Sequence, residues 1–325
     1  MTPQHTTPGT TATAVATPAR TTPAGILLPP RAVPGSRWPL QPALAPTADE
    51  IYVPVTLRKP EGDGPFPMIT IGRGDGHGGM EHAIALSLRL AAMQDRLLAR
   101  GYAVACVNYR NEIPRLYGRQ GPAVALVDDI SGGEHLVLKS AATLDSDDLA
   151  AIWRWLATLP WVRPQSIGAL GISHGGEMIL KAVAAGAPLA AGVIAEGASH
   201  EFLSVDTTAS APRIDGELQY QEIETVRAHA DRTAAMARIA QIARARTPML
   251  HFGRERDHLQ GIFQLAHEWM LEAGCNSQWL SFEHPEHGYC LLYPDAGGTL
   301  QPDPVQQEAF ERWVAFFDRH LQPAC

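Results

Sequence analysis

Before Asp49 the sequence contains no aspartate or glutamate, and its first 48 residues hold ten prolines and ten threonines. A segment of that composition cannot bury enough apolar surface to offset the entropy of ordering it. Residues 1–48 are therefore expected to form a disordered tail, with the folded domain at 49–325. No continuous apolar run in the tail matches a secretory signal. Its acid-poor, hydroxyl-rich character and Arg20, Arg31 and Arg37 are shared with organellar transit peptides, but the prolines oppose a mitochondrial amphipathic helix. A cytoplasmic location is the expectation. The chain also lacks an apolar run long enough to span a bilayer. A basic excess is missing too: the formal net charge is -8, which argues against nucleic acid or an anionic membrane as main partner. The four cysteines (Cys106, Cys275, Cys290, Cys325) have no C-x-x-C spacing, and a chain this size does not need a bridge between Cys275 and Cys290.

What the chain does hold is ample core material, 45% hydrophobic over 325 residues, enough for one large domain. From Asp49 onward, strand-like and helix-like segments alternate. Strands are expected at Ile51–Leu57, Met68–Ile71, Tyr102–Asn108, Ile167–Gly171, Ala190–Ala195 and Pro248–Phe252, with a last one centred on Leu280. Helices are expected at Met80–Arg100, with Ile84, Leu88 and Ala91 facing inward, and at Asp147–Leu159, Glu177–Ala185, Ile262–Ala273 and Gln306–Leu321. This alternation predicts an α/β fold with a doubly wound, mostly parallel sheet. Asn111–Asp145 is a long connection, and residues 196–246 form an insertion whose second half is helical; that insertion is a candidate cap over the strand ends.

The most informative stretch runs from Ile167 to Leu180. An apolar strand ends at Gly171, Gly-x-Ser-x-Gly follows, and helical spacing begins, which is the context of a nucleophile elbow. A turn tight enough to lift Ser173 above the strand ends crowds its flanks, so Gly171 and Gly175 supply positions without a Cβ. Two further elements lie at carboxyl ends of expected strands, where α/β sheets gather their ligands. Arg254-Glu255-Arg256-Asp257 offers loop carboxylates, and His287-Gly288 follows the last strand.

Several pieces together resemble the α/β-hydrolase superfamily, particularly dienelactone-hydrolase-like esterases and the catalytic domains of prolyl-oligopeptidase-type enzymes. They are Gly64-Pro65-Phe66-Pro67, Gly101 through Arg110, Trp155 to Val162, Ile167 to Gly176, Pro248 to Asp257 and His287-Gly288-Tyr289. The resemblance implies Ser173 as nucleophile, Asp257 as triad acid with Glu255 a solvated neighbour, and His287 as base. It also implies an oxyanion hole from the N–H of His174 and from Arg73 or Gly74. Dienelactone hydrolases carry cysteine where this chain has Ser173, and Gly72 to Gly79 replaces the usual His-Gly of the oxyanion loop. The implied activity is cleavage of a small-molecule carboxylic ester or short acyl-amide, with no cofactor. A small peptidase or amidase is the second reading; an acyltransferase or catalytically silent binding protein is the third.

Two competing readings are weaker. Gly74-Asp75-Gly76-His77-Gly78-Gly79 satisfies the dinucleotide-binding pattern, but the acidic residue expected about 20 positions on, at the end of the next strand, is missing. A metal is not expected. Pro285 breaks helical geometry between His284 and His287, and no Cys or carboxylate set completes a tetrahedral site; His77 and His82 read as loop groups, and His251 as a satisfied core histidine. Trp153, Trp155 and Trp161 read as packing residues.

Overall fold

The computed structural model describes residues 24–49, 51–73, 79–108, 141–206, 219–295 and 297–321, with two short strand pairs besides. Nine strands form the main sheet: β1 (Ile26–Leu27), β2 (Gln41–Pro46), β3 (Tyr52–Arg58), β4 (Phe66–Gly72), β5 (Ala103–Val107), β8 (Val162–Ile172), β9 (Ala191–Ala195), β12 (Met249–Arg254) and β13 (Ser277–Phe282). The intervening numbers belong to the small antiparallel pairs β6 (Leu126–Val127) with β7 (Glu134–His135), and β10 (Arg213–Ile214) with β11 (Glu217–Leu218). The order across the sheet is β1-β2-β3-β5-β4-β8-β9-β12-β13. The first three are joined antiparallel, and from β5 to β13 every pairing is parallel. That is the expected doubly wound α/β arrangement.

Among the described residues, eight helices cover the two faces: α1 (Gly79–Arg89), α2 (Ala91–Ala99), α3 (Ala141–Leu156), α4 (His174–Ala184), α5 (Ile223–His229), α6 (Arg232–Ala245), α7 (Gln260–Glu272) and α8 (Pro304–Leu321). Strand pleating sorts the core in two. Met68, Ala103, Ala105 and Val107 face α3, α4, α6 and α7, whereas Ile69, Ile71, Val104 and Cys106 face α1, α2 and α8. The tryptophans act as packing residues, as expected: Trp153 is fully buried and donates its Nε1–H to Thr70 Oγ1 at 3.1 Å.

Four differences from the sequence reading have physical causes. First, residues 24–48 are not tail: β1 and β2 extend the sheet, and Leu40, Ala43 and Ala45 are fully buried. Pro42 and Pro46 are tolerated because the neighbour outside β2 is only two residues long, so a missing N–H is little felt. Buried Arg58 ties this segment down, donating to Trp38 O (2.9 Å) and Ala91 O (3.1 Å) and pairing with Asp95 at 2.7 Å. Residues 1–23 of the expected tail lie outside the described residues.

Second, the expected helix from Met80 to Arg100 is two helices, with Leu90 (φ -91°, ψ 2°) between them. Ile84 is buried as expected, whereas Leu88 is exposed, and Leu86 and Leu90 are buried. Third, the helix expected from Asp147 starts earlier, at Ala141, so that Ser146 lies buried inside it. Fourth, α6 of the insertion is part of a helix layer: Ala235, Ile239 and Ile242 pack into the core beside α4 and α7. Just before α5, Tyr220 bonds across to the loop after β12, its N–H donating to His258 O at 2.6 Å.

His251 in β12 is core, as expected, but it is not satisfied, since Nε2 has no hydrogen-bond partner. Burial, reinforced by His267, whose ring centre is 5.7 Å away, pushes its pKa down to about 3. The native protein therefore holds this ring neutral, while the unfolded chain protonates it below its ordinary value near about 6.5. Stability is expected to fall by about 1.4 kcal/mol per pH unit as pH drops from there toward the folded value. Urea unfolding across that window should show His251→Leu losing this slope; an unchanged slope would refute the assignment.

Candidate active site

The carboxyl ends of β4, β8, β9, β12 and β13 lie level. Gly72 is registered with Gly171, Ile172 with Ala195, Ala195 with Phe252, and Arg254 with Phe282. Every described sequence-predicted site residue sits on or just past one of these ends.

Ser173 is the one residue between β8 and α4, with φ 55° and ψ -121°. An L-residue avoids that region unless its surroundings impose it. Here they do: the Ser173 N–H donates to Ala195 O at 2.9 Å, and its carbonyl accepts from Gly176 N–H at 2.9 Å. The flanking glycines are obligatory by contact. A Cβ at Gly171 would lie 2.3 Å from Gly175 O, and one at Gly175 would lie 2.6 Å from Gly72 O and 3.0 Å from Arg73 O. The end of β4 therefore rests directly on the elbow. Arg73 is thus beside the serine turn; Gly74 lies outside the described residues.

His174 opens α4, where backbone N–H groups and the positive dipole end face developing negative charge. Its side chain is engaged elsewhere, with Nε2 2.8 Å from Oδ2 of fully buried Asp145 in α3. Burial opposes charging this imidazole, but Asp145 and Glu177 outweigh it and its pKa is raised. Glu177, one turn on, is itself pushed up to about 7 by burial despite accepting the Phe202 N–H at 2.7 Å.

His287 stands in the loop after β13. Around it His284 accepts the Glu286 N–H and reaches Asp303 at 2.8 Å, and Tyr289 donates to Gly253 O at 2.7 Å. At Gly288 a Cβ would touch Ile172 Cγ2 at 3.4 Å, so the loop lies against the elbow. The His287 side chain is 45% exposed, and its Nδ1 faces inward.

Two carboxylates face that nitrogen. Of the pair in the loop after β12, Glu255 is exposed and Asp257 is buried. Asp257 Oδ2, however, is 4.0 Å from His287 Nδ1 and is bonded by Arg254 Nη2, while Oδ1 accepts the Leu259 N–H at 2.8 Å. The nearer carboxylate is Glu196, at the end of β9, which sequence reasoning took only as the start of the insertion. Its Oε1 is 3.1 Å from His287 Nδ1 and accepts from Arg254 Nε at 2.8 Å; its Oε2 accepts the Gly288 N–H at 2.6 Å. Part of the signal was available: Glu196 directly follows a buried strand, and a carboxylate past a strand end is what brought the Arg254 to Asp257 loop into consideration. Burial opposes protonation of His287, but Glu196, and behind it Asp257, outweigh that and raise its pKa.

Glu196, Asp257 and His287 place donor atoms within 4.8 Å of one another, a spacing a metal could bridge. Arg254 bonds to both carboxylates and already brings a positive charge to that spot. Two carboxylates and one guanidinium leave one net negative charge, matched to an imidazolium at His287.

The same architecture recurs in solved structures. Carboxyl esterase 2 from Tuber melanosporum is 16% identical, with a TM-score of 0.58 over 89% of each chain. A Thermogutta terrifontis esterase is 17% identical with a TM-score of 0.54, covering 88% of this chain and 92% of that one. Dipeptidyl peptidase 4 from Porphyromonas gingivalis is 16% identical with a TM-score of 0.54, and this chain spans only 36% of it. At such identities the likeness is one of fold. No curated protein matches the sequence. No helix among the described residues is long and apolar enough to cross a membrane. Residues 134–324, more than half of the chain and including the elbow, Glu196, Asp257 and His287, match the sequence model of the prolyl oligopeptidase family, and the chain belongs to that family.

Proposed function

We propose that the chain is a serine hydrolase that cleaves a small carboxylic ester through an acyl-enzyme on Ser173. The observation that carries this reading is the elbow itself. Ser173 is held at φ 55° on the sheet's carboxyl edge, against the loop that bears a carboxylate-bound histidine. With Nδ1 of His287 given to a carboxylate, the proton sits on Nδ1, and Nε2 carries the lone pair that a general base needs.

The steps follow. His287 Nε2 takes the proton of Ser173 Oγ as that oxygen attacks the ester carbonyl carbon, and the carbonyl oxygen becomes an oxyanion. The N–H of His174 and one from Arg73 or Gly74 serve as its donors, each typically worth about 3 kcal/mol in the transition state. Collapse breaks the ester bond, and the leaving alkoxide takes the proton back from His287. Water, deprotonated by His287, then attacks the acyl-enzyme carbonyl; collapse breaks the bond to Ser173 Oγ, His287 returns the proton to that oxygen, and the acid leaves. These steps use only protein groups and water.

A fluorophosphonate probe is expected to label Ser173 and no other serine, because Ser173 stands at the elbow between β8 and α4, against the loop that carries His287. Mass spectrometry finding the adduct elsewhere, or none on active protein, would sink the assignment. The second reading, a peptidase acting on short acyl-amides, is favoured by the family match and by the likeness to dipeptidyl peptidase 4. Matched p-nitrophenyl esters and p-nitroanilides separate the two. An ester-to-anilide ratio of kcat/KM far above the ratio of their chemical reactivities supports the esterase, and near-equal kcat/KM values would transfer the assignment to the peptidase.

A further inference from the structure

We propose that Glu196, at the end of β9, is the positioning residue that orients and charges His287, with Asp257 in a supporting role one shell further out. The inference rests on the hydrolase reading and assigns its acid to a different strand. Three observations carry it.

The first is distance. Glu196 Oε1 lies 3.1 Å from His287 Nδ1, within hydrogen-bond reach, whereas Asp257 Oδ2 lies at 4.0 Å, beyond it. The second is commitment. Asp257 spends its oxygens on Arg254 and on the Leu259 N–H. Glu196 reaches the histidine loop twice, through the imidazole and through the Gly288 N–H at 2.6 Å, and so fixes both the ring and the backbone beside it. The third is backbone strain. Glu196 is fully buried and held at φ 48°, a left-handed conformation that a residue with a long side chain rarely adopts. Its N–H donates to Phe252 O at 2.8 Å, which locks that conformation to the neighbouring strand. Strain of this kind persists where the surroundings over-determine it, typically at a working site.

Arg254 completes the device. It bonds Glu196 and Asp257 together and also reaches the carbonyls of His284 and Pro285, at 3.4 and 3.3 Å. The charged groups facing His287 are thus Glu196 from β9 and Asp257 and Arg254 from β12 and its loop.

The test measures the rate of fluorophosphonate labelling of Ser173 against pH, with ester kcat and KM in parallel. Glu196→Gln is expected to lose on the order of 10³-fold in labelling rate and kcat with little change in KM, by leaving the imidazole in the wrong tautomer. Its acid limb should move to lower pH, because the carboxylate that favours the protonated ring is gone. Glu196→Asp should recover part of the loss. Asp257→Asn should lose about tenfold or less, as a charge acting from beyond hydrogen-bond distance. A thousandfold loss and shifted acid limb in Asp257→Asn, with neither in Glu196→Gln, would overturn the inference while leaving the hydrolase standing. Should Glu196→Gln fail to fold, the imidazole Nδ1–H proton resonance decides. Its persistence in Asp257→Asn supports Glu196, and its disappearance there refutes it. Wild-type protein that never labels at Ser173 would remove the hydrolase reading, and this inference with it.

Discussion

Replacing Ser173 with alanine is expected to lower kcat for ester cleavage by on the order of 10⁶-fold, the scale seen when a triad nucleophile is removed. The fold should survive, because the conformation at this site is imposed from outside the residue. Its N–H and carbonyl bonds to Ala195 and Gly176 are backbone bonds that alanine keeps, and both residues carry the same Cβ into φ 55°. Far-UV circular dichroism and the urea midpoint should therefore be unchanged within error while turnover disappears. What remains, roughly 10³-fold over water, would come from bound substrate and the oxyanion donors. A variant that keeps a hundredth of wild-type kcat would place the nucleophile elsewhere. A variant that unfolds would show Ser173 to be structural.

The sequence made the elbow legible because its requirements are local. Strand, turn and helix succeed one another within about a dozen residues, and the two glycines answer contacts made inside the same turn or with the adjoining strand end. His287 was legible for a similar reason, standing in a loop directly after a strand with a glycine beside it. Glu196 was not singled out, because its role depends on three chain segments meeting. The ends of β9, β12 and β13 come together only once the sheet is assembled, and a carboxylate after β9 looks from sequence alone like the first residue of an insertion.

The same distinction separates the fold's hits from its misses. Buried parallel strands such as β5 and β9 announce themselves by continuous apolar runs. The proline-rich stretch before Asp49 looked unable to order itself, and alone it has little to order around. It gains a partner strand in β3 and an anchor in Arg58, neither of which composition can reveal. At Leu90 the periodic pattern runs straight through a break, because nothing in the residues themselves stops a helix there.

Gly175→Ala should be severely damaging, and it tests how the elbow and the oxyanion loop depend on each other. The added Cβ would sit 2.6 Å from Gly72 O, 2.8 Å from Gly72 C and 3.0 Å from Arg73 O. All three are backbone atoms, so no side chain can swing away to make room. Either α4 lifts off the end of β4, carrying Ser173 out of reach of His287, or Gly72 and Arg73 retreat and take an oxyanion donor with them. A displaced nucleophile costs on the order of 10²-fold per ångström, and a lost donor costs roughly 10² to 10³-fold. Whichever way the clash is relieved, the expected fall in kcat is about 10² to 10³-fold. Overpacking of this kind also costs roughly 1–3 kcal/mol of stability, visible as a lower urea midpoint. The two losses need not scale together, and a second variant exploits that. Gly186→Ala, at φ 87° with nothing within 4 Å of the added Cβ, strains the backbone just past the far end of α4 without touching the elbow. It should lose stability and keep its kcat. If Gly175→Ala loses no more kcat than Gly186→Ala at equal loss of stability, the contact between β4 and the elbow has no part in catalysis, and the oxyanion role given to the Arg73 loop falls.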